Sequence, residues 1–164
     1  MRKILVLSLF ALMFIACNFA TDAAKLKPDL EVTFINPLAA TLYVADTASG
    51  TSVSIESIKF EPRNSVDATV TKIIIDYRDE SGSVFYGPFE MAIYMKIPGI
   101  VYPDSITTYS ILNIPLAADK VANHMLQNNL LVTKTYIGLV SEDDYGMGKT
   151  DTAWVWFGFN FINQ

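Results

Sequence analysis

One cysteine and one histidine in 164 residues remove whole classes of chemistry. Cys17 has no second cysteine to pair with, so no disulfide staples the chain and its stability must come from packing. The same count excludes the multi-cysteine zinc sites, and the lone His124 excludes the multi-histidine ones. Basic residues are also scarce. Twelve Lys and Arg stand against seventeen Asp and Glu, a net charge of −5. That argues against nucleic acid and against adhesion to anionic lipid by charge, since both require a basic surface. Long apolar runs are missing too. The longest, Ile4 to Ala16, holds thirteen residues and is interrupted by Ser8, whereas a spanning helix takes about 20.

That run has a different meaning. Met1-Arg2-Lys3 is a short basic start, and a basic start before 7 to 15 apolar residues is what the secretion machinery reads as a signal peptide. Its end, Phe14-Ile15-Ala16-Cys17, resembles the lipobox of bacterial lipoproteins, with a small residue before the cysteine. The resemblance implies cleavage before Cys17, acylation of Cys17 (palmitate-type chains) and anchorage in a lipid bilayer. It also removes Cys17 as a nucleophile. Asn18 in place of Asp next to that cysteine implies the outer membrane in a Gram-negative host. The residues leave two alternatives open: ordinary signal cleavage after Ala23, with Thr21 third from the cut, or an uncleaved anchor.

The lipoprotein reading divides the chain into a signal peptide (1–16), a lipidated cysteine and tether (17–29) and one domain (30–164). The mature 148 residues carry ten basic and seventeen acidic side chains, a net charge of about −7. A chain of that length is the size of one domain with a sizeable core. Twelve tether residues after Cys17 extend at most about 40 Å, so the domain would stay close to its membrane.

From Leu30 onward apolar residues alternate with polar ones, the period of half-buried strands. Leu30, Val32 and Phe34 share one face of the first strand. Between Ile55 and Ile58 the apolar set changes from odd to even positions, which predicts a bulge near Glu56 or Ser57. In the run from Val70 to Arg78, Ile73, Ile75 and Tyr77 are expected in the core, with Lys72, Asp76 and Arg78 facing out. Asp79-Glu-Ser-Gly-Ser83 reads as a hairpin turn with a glycine for the positive φ. In the next strand Phe89, Met91, Ile93 and Met95 form the apolar set, with both methionines read as core filler. One short helix is expected at about 116–128, with Pro115 near its first turn, Asn128-Asn129 at its end and His124 as a surface residue.

About eight strands with turns between them predict a mainly β fold, a single antiparallel Greek-key sandwich. The pattern over residues 30–162 resembles immunoglobulin and fibronectin type III modules, and that resemblance implies a tyrosine-corner role for Tyr136.

The segment from Ala153 to Phe161 carries the most informative side chains. Alternation sets Ala153, Val155, Phe157, Phe159 and Phe161 on one face and Trp154, Trp156, Gly158 and Asn160 on the other. Two adjacent outward tryptophans would suit stacking on a sugar ring or anchoring a protein partner; the alternative is that loops or the helix cover them. Glu142, Asp143, Asp144 and Asp151 are the weak candidates for a metal, hard oxygen ligands whose spacing fits no calcium loop. Gly146-Met-Gly-Lys-Thr150 falls short of a phosphate loop, because Asp143 stands where its first glycine belongs and a strand, not a helix, follows. No cofactor and no catalytic residue is implied. The expectation is a non-catalytic, lipid-anchored envelope module that binds or spaces a partner. The alternatives are an extracytoplasmic hydrolase with two carboxylates and a subunit of an envelope assembly complex.

Overall fold

The computed structural model describes residues 27–100 and 106–162. The proposed signal peptide and Cys17 lie outside them. Eight strands follow in order: β1 (Leu30–Asn36), β2 (Ala39–Tyr43), β3 (Val53–Pro62), β4 (Ala68–Arg78), β5 (Val84–Ile97), β6 (Tyr109–Leu116), β7 (Val132–Asp143) and β8 (Thr150–Ile162). A 3-10 turn (Val44–Thr47) follows β2, and one helix, α1 (Ala118–Asn128), separates β6 from β7.

The strands form a sandwich of a three-stranded sheet, β1-β3-β6, and a five-stranded sheet, β2-β8-β7-β4-β5. This is an immunoglobulin-like Greek key, with β1, β3 and β6 as strands A, B and E and β4, β5, β7 and β8 as C, C′, F and G. It departs from the all-antiparallel expectation at one place, since β2 runs parallel to β8, from Ala39 beside Gly158 to Tyr43 beside Ile162. The chain leaves the first sheet after Asn36 and joins the edge of the second beside β8 from Ala39.

Phe60, Phe157 and Phe159 fill the space between the layers with Ile55, Ile58, Ile73, Ile114 and Ile137, all essentially without solvent contact. The phase change in β3 is real but is no simple bulge. Ser57 still faces Leu112 and Ile55 faces Ile114, while Asn113, across from Glu56, takes φ +57° so that both strands change face together. A true register shift lies in β1, between Val32 and Phe34. It turns Phe34 outward, against the sequence expectation, and Ile35 takes its place against the core. Lys59 then lies 5.2 Å from the Phe34 ring centroid.

Helix α1 closes one end of the sandwich. Ala118, Val121, Ala122 and Met125 recur at helical spacing and are buried. Pro115 and Leu116 lie outside the helix, paired with Ser54 and Val53 as the last residues of β6. At the other end Asn129 takes φ +52°, and the Leu130 N–H donates to the Met125 carbonyl at 2.9 Å, a left-handed cap of the kind Asn tolerates. Asn123 donates to the Thr47 carbonyl at 2.9 Å and fastens the 3-10 turn to the helix.

The domain begins slightly before Leu30. Pro28 is buried, the Lys27 carbonyl accepts from Asn64, and the Asp29 carbonyl accepts from the Arg63 N–H. Lys27 also pairs with Asp151. These contacts attach residues 27–29, assigned to the tether from sequence, to the sandwich.

Candidate functional site

The outer face of the five-stranded sheet carries the two tryptophans. On β8 the alternation holds: Ala153, Phe157, Phe159 and Phe161 are buried and Val155 is partly so, while Trp154 and Trp156 are 48% and 42% exposed. Across the β7–β8 hairpin Trp154 faces Gly138, Trp156 faces Tyr136, and Lys134 faces Gly158. The glycines decide how the rings lie. A Cβ built on Gly138 would stand 2.9 Å from Cζ3 and Cη2 of Trp154, and one built on Gly158 would stand 3.6 Å from Cζ3 of Trp156. Each indole therefore leans over a place in the sheet where a side chain is missing.

Two cations border the aromatic row. Lys134 Nζ is 4.9 Å from the Trp156 ring centroid, and the Arg78 guanidinium is 4.7 Å from that of Tyr136. Arg78 is fixed by a two-pronged pair with Asp76, Nε to Oδ1 at 3.1 Å and Nη2 to Oδ2 at 2.7 Å. Asp76 points outward as expected yet is buried, because Arg78 and its neighbours cover it. Hydrogen bonding to Asp76 also holds the Arg78 pKa above its ordinary value. The result is a strip of aromatic surface edged by positive charge, suited to the C–H face of a sugar or to a partner's apolar side chain.

Tyr136 thus faces out under Arg78 and makes no tyrosine corner. Tyr77 makes the comparable contact, since its hydroxyl accepts the Ala117 N–H at 2.8 Å and ties β4 to the start of α1. Burial pushes the Tyr77 pKa up. Tyr77 also lines an open cleft of about 360 Å³ with Tyr86, Phe89, Ile75, Leu116 and Asp119. Asp119 is the one carboxylate there. Burial alone would raise its pKa, but the N–H groups of Gly50 and Lys120 and the Lys120 ammonium bring it below the ordinary value. It serves as a fixed anion that anchors the Gly50 loop to the helix.

The acidic hairpin loop disperses its carboxylates. Asp143 accepts three backbone N–H groups, from Tyr145 at 3.0 Å, Met147 at 3.1 Å and Lys149 at 2.5 Å, and so ties the loop together. Burial would raise its pKa, and those three donors lower it. Asp144 accepts from the Thr69 hydroxyl at 2.6 Å, Asp151 pairs with Lys27, and Glu142 is exposed. Among the described residues no three Asp, Glu, His or Cys side chains gather as a metal-ligand set.

Two further sequence expectations need correction. His124 is partly buried, stacked flat on Phe85 with centroids 3.7 Å apart, and its Nε2 has no hydrogen-bond partner. Phe89 and Met91 are 43% and 37% exposed, because β5 extends beyond the cover of the narrower opposing sheet. Sequence reasoning missed Lys134, Arg78 and Gly138 as members of the tryptophan face. Their outward parity on strands neighbouring β8 was the available signal, but it requires knowing the strand order.

No protein-family model and no curated protein matches the chain. Among solved structures, it is similar to a protein from Archaeoglobus fulgidus at 11% identity, over 82% of this chain and 95% of that one, with a TM-score of 0.43. A protein from Bordetella pertussis matches at 12% identity over 82% of this chain and 95% of that one, with a TM-score of 0.40. A β-glucosidase from Listeria innocua matches at 11% identity over 84% of this chain but 16% of its own, with a TM-score of 0.36.

Proposed function

We propose that this chain is a non-catalytic envelope module, held to a bilayer through acylated Cys17, that binds a carbohydrate polymer of the envelope on the face bearing Trp154 and Trp156. The observation that carries the reading is the seating of both indoles over glycines of the sheet. Rings supported in that way are ordered before a ligand arrives, and a pre-ordered aromatic surface loses little entropy on binding. Lys134 and Arg78 beside them favour a ligand with acidic or hydroxyl substituents. The lipobox-like start supports the membrane half of the reading, and the short reach of the tether would hold the module near the envelope surface.

Each half has its own test. Intact mass and membrane fractionation of the full chain and of Cys17→Ala, expressed in a bacterial host, address the anchor. An acyl mass and membrane sedimentation of the first but not the second are expected, and an unmodified, unsedimented wild type overturns the anchor. Cosedimentation with isolated cell-wall polysaccharide addresses the face. Retention of the unsubstituted chain and its loss in Trp154→Ala/Trp156→Ala are expected; equal retention of both, or binding only to envelope protein, overturns the carbohydrate reading.

A further inference from the structure

Where the five-stranded sheet runs on past the narrower one, part of its inner side has no opposing strand, and the cleft of about 360 Å³ beside Tyr77 lies there. Its lining is mostly apolar. Ile75 and Leu116 are buried, while Tyr86 and Phe89, with ring centroids 4.6 Å apart and planes inclined at 55°, are partly open to solvent. Small-molecule sites occupy about 300–1,000 Å³ and combine apolar walls with a few placed polar groups.

Two such groups line this cleft, and both belong to buried residues, Tyr77 at 3% and Asp119 at 5% exposure. Each has bonding capacity left. The Tyr77 hydroxyl accepts the Ala117 N–H, and among the described residues its own proton finds no acceptor. A buried donor without a partner is costly, so it favours whatever supplies one. Asp119 Oδ2 takes the Gly50 N–H and the Lys120 ammonium, both at 3.2 Å, and Oδ1 takes only the Lys120 N–H at 2.9 Å. A carboxylate oxygen has about two lone-pair sites, so Oδ1 can accept once more. The two groups also lie near one another. Burial raises the Tyr77 pKa and the Ala117 N–H lowers it, while the Tyr86 phenol and the Asp119 carboxylate raise it further through their charge.

We propose that this cleft binds a small neutral aromatic alcohol, whose hydroxyl accepts from Tyr77 and donates to Asp119 while its ring packs against Tyr86 and Phe89. A hydroxyl suits because one oxygen both donates and accepts. An ether only accepts, and an ammonium only donates to an Asp119 that already holds Lys120. A carboxylate would set a second anion beside Asp119 in a space of low dielectric, where repulsion is strong. A flat ring gains over an alkyl chain, because aromatic pairs attract beyond the area they bury. The site is separate from the tryptophan face. Tyr77 belongs to the core side of the sheet and both indoles to the outer side, so this ligand and an envelope polymer do not compete.

The test uses the full chain in detergent with 2-naphthol as probe, read by the probe's own fluorescence against the same detergent without protein. Its methyl ether, the parent naphthalene and the carboxylate naphthoate serve as comparisons. On the unsubstituted chain naphthol is expected to bind saturably, about tenfold or more tighter than the ether or the naphthoate, since each of these leaves a buried group unpaired or adds a charge. Tyr77→Phe and Asp119→Asn should each lower naphthol affinity about tenfold and leave naphthalene binding unchanged, which shows that the cleft survives. Phe89→Ala, at a half-exposed position, should weaken every probe alike. Equal binding of naphthol and its ether overturns the proposal. So does naphthol binding that is indifferent to both polar substitutions or to Phe89→Ala, or the absence of saturable binding.

Discussion

Gly138→Ala tests the seating of Trp154 with little else disturbed. The backbone of Gly138 is outside the left-handed region, so alanine meets no conformational penalty there. Its Cβ, however, would stand 2.9 Å from two Trp154 ring carbons and 2.9 Å from Thr152 Cγ2. Ordinary carbon contacts are about 3.5–4.0 Å, so the indole must lift by roughly 0.6–1 Å. Forcing a side chain off its rotamer costs about 0.5–1.5 kcal/mol. Against this, replacing glycine where the backbone permits stabilises by about 0.4–1 kcal/mol through the unfolded chain. The two effects nearly cancel, leaving a net change between about 0.5 kcal/mol stabilising and 1 kcal/mol destabilising. At about 2–4 °C per kcal/mol, Tm moves by no more than about 4 °C. Stability is therefore a poor reporter and the ring itself a good one. With Trp156→Phe present, Trp154 is the single tryptophan. Gly138→Ala should raise its quenching by acrylamide and shift its emission to longer wavelength, and Gly138→Val, which brings two more carbons into the same space, should do so further. If Gly138→Val changes neither emission nor quenching, Trp154 does not rest on that glycine and the pre-ordered face is refuted.

Other perturbations give separate expectations. Tyr77→Phe keeps the ring packing but removes the acceptor for the Ala117 N–H, and urea unfolding should show a loss of about 1–2 kcal/mol. Phe157→Ala empties a site with no solvent contact and should lose about 3–5 kcal/mol; Trp154→Ala, half exposed, should lose about half as much, and equal losses would place that indole in the core. Asp119 and Asp143 have folded pKa values below the ordinary carboxylate value, so the unfolded chain takes up their protons first as pH falls. Their stabilisation is thus complete above about pH 4 and lost as pH drops through the folded values. Tm should be flat from about pH 7 to 5 and fall below 4, with a shallower fall for Asp143→Asn; an unchanged acid limb would contradict the assigned role of that carboxylate.

The strands, the hairpin at Asp79–Ser83 and the two faces of β8 were legible because each depends on local periodicity or on one turn residue. The phase change in β3 was legible for the same reason, but its partner, Asn113 with φ +57°, was not, since compensation across a ladder leaves no trace in either strand alone. Phe34 was misplaced because one irregularity after Val32 reverses every later side chain in β1. Phe89 and Met91 alternate as core residues should, and their exposure follows from the width of the opposite sheet, which no property of β5 encodes. Tyr77 and Tyr136 look alike in sequence, each in the middle of an apolar strand. Which one reaches Ala117 depends on how the layers stack. The tryptophan face shows both sides of this. Its two indoles followed from parity, while Gly138, Lys134 and Arg78 required the strand order β8-β7-β4.

The most direct test of the binding face is intrinsic tryptophan emission during titration with solubilised cell-wall polysaccharide, in the presence of acrylamide. Because Trp154 and Trp156 are the chain's two tryptophans and both lie on that face, binding there should change the emission saturably and protect both indoles from quenching. Polysaccharide that binds with no change in emission or quenching would place the ligand elsewhere and contradict the account.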